Sequence, residues 1–178
     1  IYYGAARSEA STTQGLDIHL IGAGNSAGQA AMFFANHARS VTLLVRGDSL
    51  EKSMSQYLIE QVRSKANIKV ALNCEVAATH GEQHLEAIDI ADRVAGTSRR
   101  ETSAGLFVFI GADAETHWLP PEVARDSRGY VLTGEDLRRA GRWSEGRDPY
   151  LLETSVPGIF ACGDVRFSPV KRVAAAVG

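Results

Sequence analysis

Leu20 to Gly28 reads Leu-Ile-Gly-Ala-Gly-Asn-Ser-Ala-Gly, a glycine-rich turn between an apolar strand pattern and an alanine-rich helix pattern. Residues of these types at this spacing can cradle a pyrophosphate. Gly22 takes the tight turn at the strand's end, and Gly24, with no Cβ, lets the phosphates approach the backbone. Ala27 is small enough for helix and strand to pack closely. Asn25 and Ser26 stand at the helix entry, where free N–H groups point at the anion. A second candidate site lies far along the chain. An apolar run, Ile159-Phe-Ala-Cys162, delivers Gly163 and Asp164 to a strand's carboxyl end, where open α/β sheets place their ligands.

These residues need a frame, and the periodicity supplies one. Asp17–Ile21 is strand-like, 26–37 is helix-like, and Val41-Thr-Leu-Leu-Val45 is a second buried strand. After a polar turn, Met54, Leu58, Ile59 and Val62 fall at helical spacing within 54–65, and Ile68–Leu72 is a third strand. Residues 17–72 thus read as β-α-β-α-β, the mononucleotide-binding half of a doubly wound sheet with right-handed crossovers. Segments 74–79, 84–91 and 97–103 read as an antiparallel meander with turns at Gly81-Glu82 and Ala95-Gly96. Leu106-Phe-Val-Phe-Ile110 is a further apolar strand, ending at Gly111. A polar, poorly periodic stretch runs from there to about Glu153, and Val170–Val177 is the alanine-rich start of a last helix.

Composition fits an ordinary globular chain. With 178 residues, 44% hydrophobic and 22% charged, it can bury a real core, and a net charge of −2 gives no case for nucleic acid or an anionic membrane as partner. No apolar run approaches the roughly 20 residues that span a bilayer. With no signal-peptide pattern either, the expectation is a cytoplasmic protein. Cys74 and Cys162 are too far apart in sequence for a Cys-x-x-Cys pair or a zinc knuckle. His80-Gly-Glu-Gln-His84 spans a turn without further clustered ligands, so no metal site is read there.

The motifs GAGNSAGQAA (22–31), VTLLVR (41–46), MSQYL (54–58), LFVFIGA (106–112), THWL (116–119), LETSVPGIFACGDVR (152–166) and KRVAAAVG (171–178) follow one another as in thioredoxin reductase-like flavoproteins. The chain resembles the NADPH-binding domain of that family (1–104) plus the C-terminal part of its FAD-binding domain (105–178). The fold so implied is α/β: a Rossmann-like unit with an antiparallel meander, followed by part of a second Rossmann-like domain. The resemblance implies NADPH and FAD as cofactors. It assigns Gly22, Gly24, Asn25, Ser26, Ala27 and Arg46 to NADPH, and Gly111, Gly163, Asp164, Lys171, Arg172 and Val173 to the flavin side. Asp164 is expected to accept hydrogen bonds from ribityl hydroxyls. The helix beginning near Lys171 would stabilise negative charge on a reduced flavin. The resemblance also implies a homodimer for the intact protein, a hinge near Ala104-Gly105, and an FAD fingerprint N-terminal to Ile1.

Two departures from the family pattern shape the functional expectation. No cysteine occurs in Ile1–Gly22, where thioredoxin reductases carry Cys-x-x-Cys, so electrons could not leave by thiol–disulfide exchange there. Of the basic residues that hold the 2′-phosphate in the family, Arg46 matches, Gly47 and Glu51 do not, and Lys52 is a substitute. An NAD-specific site wants an acid at the end of the second strand; Val45-Arg46 stands there, with Asp48 close by, which favours NADPH. The expectation is a piece of a flavoprotein oxidoreductase that moves hydride from NADPH to FAD and on to an acceptor not relayed by a dithiol, the isolated piece being inactive. A non-catalytic nucleotide-sensing module is the alternative. An ordinary NAD(P)-dependent dehydrogenase is disfavoured by the 152–166 block.

Overall fold

The computed structural model describes residues 1–5 and 7–167, in two compact units, Ile1–Ile110 and Gly111–Gly178. In the first unit, β1 (Asp17–Ile21), β2 (Ser40–Val45), β3 (Ile68–Leu72) and β7 (Gly105–Val108) form a parallel sheet in the order β3-β2-β1-β7. The crossovers carry α2 (Asn25–Phe34) and α3 (Gln56–Ser64). A short helix, α1 (Arg7–Thr12), precedes β1 and was not evident from periodicity; it buries Ala10 alone. Between β3 and β7 the chain makes an antiparallel sheet of β4 (Cys74–His80), β5 (Ala87–Asp92) and β6 (Thr97–Thr102).

Side chains of the parallel strands alternate between two covered faces, which is why these strands read as unbroken apolar runs. Ile18, Leu20, Val41, Leu43 and Val45 pack with Ala27, Ala31 and Phe34 of α2 and Leu58, Ile59 and Val62 of α3. Leu44 and Leu106 face the other way, against Cys74, Ile88 and Ile90 of the meander. Each buried valine, leucine, isoleucine or phenylalanine among them stabilises the fold by about 1.5–3 kcal/mol. Phe107 closes the β7 edge: its ring lies 4.2 Å from Phe34 and stacks on Tyr2 at 4.9 Å. Tyr2 in turn bridges to Phe107 in parallel fashion.

One polar seam crosses the meander-facing side of the sheet. His19 is buried on β1, its Nδ1 2.9 Å from Ser103 Oγ and its Nε2 3.1 Å from Glu101 Oε2. Burial pushes the His19 imidazole below its usual value of 6.5, with the Glu101 carboxylate opposing the shift. Ala104 donates its N–H to Asp17 at 2.9 Å, and Gly105 begins β7. The segment expected to hinge at Ala104-Gly105 is therefore pinned inside the sheet. The first unit runs on to Ile110, beyond the boundary expected at 104/105.

The second unit is held by bridges and polar contacts more than by regular elements. Its helix, α4 (Glu135–Arg139), buries Leu137 against Ala124, Leu132 and Trp143. The carboxylate of Glu153, itself fully buried, organises the loops around it. It accepts two hydrogen bonds from Arg147 at 2.7 Å each, one from the Tyr150 N–H at 3.0 Å and one from the Gly158 N–H at 2.9 Å. Arg147 is flanked by the rings of Trp143 and Tyr150, at 5.1 and 4.8 Å. The strand expected at Ile159–Cys162 is absent. Phe160 makes one isolated bridge, to Glu153, and Ile159 and Phe160 are 48% and 55% exposed. An apolar run becomes a buried strand only where neighbouring strands complete its ladder, and among the described residues this run has no such neighbour.

Candidate nucleotide site

The turn from β1 into α2 has the geometry that the glycines predict. Gly22 sits at φ +145°, and a Cβ there would lie 2.5 Å from the Phe109 carbonyl oxygen and 3.1 Å from the Ala27 Cβ. No side chain fits. Gly24 caps α2 in an extended conformation, and no side chain satisfies the first N–H groups of the helix. Its missing Cβ would meet only the Ser53 carbonyl oxygen, at 3.9 Å. Open space thus stands before uncapped donors at the positive end of a ten-residue helix, a combination that suits an anion.

Ala27 is fully buried, as close packing of helix on strand requires. Gly28, which periodicity did not single out, is constrained by side-chain packing: a Cβ there would come within 2.7 Å of Leu58 and 2.8 Å of Met54. It sets the approach of α3 to α2. Ser26 is exposed beside the turn, and the Asn25 side chain is engaged with the α3 entry, its Oδ1 accepting the Ser55 N–H at 2.8 Å. A second bond joins the same segments, Ser53 Oγ donating to the Ala23 carbonyl at 2.8 Å.

Arg46 lies just past the carboxyl end of β2, two residues beyond Leu44, which pairs with Ile21 at the start of the turn. It is exposed, with no hydrogen bond or ion pair among the described residues. The acids nearby are occupied. Lys52 sits 2.6 Å from Asp48 and holds its carboxyl below the usual carboxylate range, and Arg63 contacts Glu51 at 2.8 Å. Lys52 thus pairs with Asp48 at the surface. The loop carrying Arg46 is itself fixed, since Gly47 accepts the Asn73 N–H at 2.9 Å.

The remaining predicted residues belong to the second unit. Gly111 has φ +88° and open space around it, and Gly163 has φ +76° at the start of a 3-10 turn, Gly163–Val165. Asp164 in that turn is exposed, its carboxylate without a partner among the described residues. A free carboxylate suits a hydroxyl-bearing ligand, although no strand delivers it. Lys171, Arg172 and Val173 lie outside the described residues. No group of histidine, cysteine and carboxylate side chains able to hold a metal occurs among the described residues, and no described helix is long and apolar enough to cross a membrane.

The sequence model of the pyridine nucleotide-disulphide oxidoreductase family matches residues 5–178. The chain belongs to that family. Its relatives include the 34.2 kDa protein in the rubredoxin operon of Clostridium pasteurianum, 29% identical over 92% of this chain and 48% of that protein. The thioredoxin reductase of Streptomyces clavuligerus is 30% identical over 91% of this chain and 45% of its own length. The chain spans about half the length of the curated relatives it matches. The fold is that of thioredoxin reductase: the Lactococcus lactis enzyme superposes with a TM-score of 0.77 over 99% of this chain and 53% of its own, at 20% identity. The thioredoxin reductase of T. acidophilum gives 0.75 over 96% and 51%, at 24% identity. Thioredoxin reductase-like members of this pyridine nucleotide-disulphide oxidoreductase family use FAD and NADPH.

Proposed function

We propose that this chain is the NADPH-binding part, with a share of the FAD-binding part, of a flavoprotein oxidoreductase whose electrons leave by a route other than a Cys-x-x-Cys relay. The observation that carries the reading is the uncapped α2 N-terminus behind Gly22 and Gly24, in a β3-β2-β1-β7 parallel sheet. When bound, NADPH supplies a hydride from its nicotinamide and FAD accepts it.

Within that reading the residues have distinct tasks. The first-turn N–H groups of α2 bind the pyrophosphate of NADPH, with Gly22 turning the chain beneath it and Gly24 leaving the phosphates room. Arg46 holds the 2′-phosphate through its guanidinium, and the pairing of Asp48 with Lys52 keeps the nearest carboxylate from repelling it. Asp164 accepts hydroxyl hydrogen bonds from the flavin's ribityl chain, and Gly163 leaves clearance beside it. No side chain need donate or accept a proton in the hydride step, so positioning is the protein's main contribution. The absence of cysteine from Ile1–Gly22 supports a non-dithiol acceptor.

The absorbance spectrum of the full-length protein, before and after anaerobic addition of NADPH, tests this. Flavin bands that bleach with NADPH are expected. A colourless protein that still binds NADPH would turn the reading to nucleotide sensing, and a bound flavin that NADPH leaves oxidised would refute the hydride step.

A further inference from the structure

The glycine-rich turn does not stand alone in this fold; it is tied to the entry of the neighbouring helix by two side-chain bonds, both donated from the α3 side. Ser53 Oγ donates to the Ala23 carbonyl at 2.8 Å, and Asn25 Oδ1 accepts the Ser55 N–H at 2.8 Å. One bond therefore goes from the α3 entry to the turn's backbone, and the other from the α3 backbone to a side chain of the turn. The α3 side of this pair is anchored. Ser53 and Met54 donate their N–H groups to the carbonyl of Leu50, at 3.1 and 2.9 Å, and the Leu50 side chain is 1% exposed. The Ser53 carbonyl is the nearest atom to the space that Gly24 leaves open, 3.9 Å from where a Cβ would sit.

We propose that Asn25 and Ser53 are positioning residues for the dinucleotide pyrophosphate, which clamp the Gly22–Asn25 turn to the α3 entry so that the α2 donors converge on the phosphates. This rests on the reading of the turn as a nucleotide cradle. It reassigns Asn25 from contacting the cofactor to shaping its site, and it gives Ser53 a role that its surface position does not suggest. Because the pyrophosphate is common to both nucleotides, loss of the clamp weakens NADPH and NADH by the same factor. Loss of a group that touches the 2′-phosphate changes their ratio instead.

The test uses the full-length protein with Asn25→Ala, Ser53→Ala and Ser53→Thr, measuring Kd for NADPH and NADH and the thermal midpoint without nucleotide. Each alanine variant is expected to raise both Kd values about fivefold, the worth of one ordinary hydrogen bond. The NADPH-to-NADH ratio should stay near that of the unaltered protein, and the midpoint should fall by no more than a few degrees, the size of one lost hydrogen bond. Ser53→Thr keeps a hydroxyl and should restore both affinities to within about twofold. Should Asn25→Ala fail to fold, the Ser53 pair decides. Unchanged affinities in Ser53→Ala, an altered nucleotide ratio, or a Ser53→Thr variant as weak as Ser53→Ala would each overturn the clamp. Failure of the unaltered protein to bind either nucleotide would instead overturn the functional reading beneath it.

Discussion

Two glycines of the turn, Gly22 and Gly24, should respond to the same substitution in opposite ways. In Gly22→Ala the new methyl group would start 2.5 Å from the Phe109 carbonyl oxygen. That carbonyl has little freedom to retreat, because Phe109 is held to β1 by its N–H bond to Ile21 at 2.8 Å. The backbone at φ +145° is also one that an alanine resists. Strain of this kind costs about 1–3 kcal/mol and overpacking about as much again, so a loss of about 2–5 kcal/mol is expected. Thermal unfolding should fall by about 4–20 °C. Gly24→Ala meets no atom closer than 3.9 Å, and its φ of −86° suits alanine. The weaker capping by alanine and the lower entropy of its unfolded chain are each under about 1 kcal/mol and opposed in sign. Stability should barely move, while the methyl group occupies phosphate space and NADPH weakens at least about tenfold, or 1.4 kcal/mol. Calorimetric unfolding and NADPH titration of both variants separate the two effects. A Gly24→Ala protein that binds NADPH like its parent would refute the cradle, and a Gly22→Ala protein as stable as its parent would refute the packing argument.

Arg46→Ala should weaken NADPH by about 1.5–3 kcal/mol, the range for a charge-assisted hydrogen bond, and leave NADH nearly unchanged; equal losses in paired titrations would make Arg46 a surface residue. Gly28→Ala forces Leu58 and Met54 aside from contacts of 2.7 and 2.8 Å and should cost about 1–3 kcal/mol, read by denaturant unfolding. Acid should destabilise the protein in two windows. His19 takes up its proton in the unfolded chain near pH 6.5 and only at lower pH when folded, so stability falls as pH drops below about 6.5, and His19→Gln should flatten that slope. Glu153 is held at about 2, chiefly by Arg147, against an ordinary value of 4.5. Its contribution is therefore present above pH 4.5 and lost as the pH falls towards 2, and Glu153→Gln should diminish that second transition, which Asp17 and Asp89 share, in an acid titration followed by tryptophan fluorescence.

The parallel strands and both crossover helices were legible because each buries a face with regular spacing, and Asp17–Ile21 and Ile68–Leu72 match residue for residue. The meander was equally clear from its turns, with β5 starting at Ala87 where the alternation suggested 84. What escaped has physical causes. α1 carries one buried residue and so leaves no apolar stripe, and α4 is a five-residue helix around Leu137. Ile159–Cys162 shows the reverse failure: an apolar run records hydrophobicity but not whether a partner strand exists to pair with it. In the site, Gly22 and Ala27 announce themselves because backbone conformation and close packing restrict the residue there, and Gly24 through its place in the glycine-rich spacing. Asn25, Ser53 and Gly28 act through contacts some thirty residues away along the chain, and local spacing carries no trace of such pairings.

The placement of the meander also governs the order in which this unit can assemble. Residues 17–72 supply three strands and two helices from one continuous stretch, so their pairings close short loops. The fourth strand must bring Gly105 back to Ile18 and Leu106 back to His19 across everything between. The hairpins of β4, β5 and β6 are themselves local, and once zipped they shorten the free chain that this closure has to tame. Ser103, at the end of the last hairpin strand, then meets His19 on β1, one residue before Ala104 bonds Asp17. The buried seam thus joins the three-stranded core to its distant fourth strand, and the Phe109 carbonyl that shapes the Gly22 turn belongs to the segment that follows it. The nucleotide cradle is complete only when the ladder between the unit's most distant strands, β1 and β7, has formed.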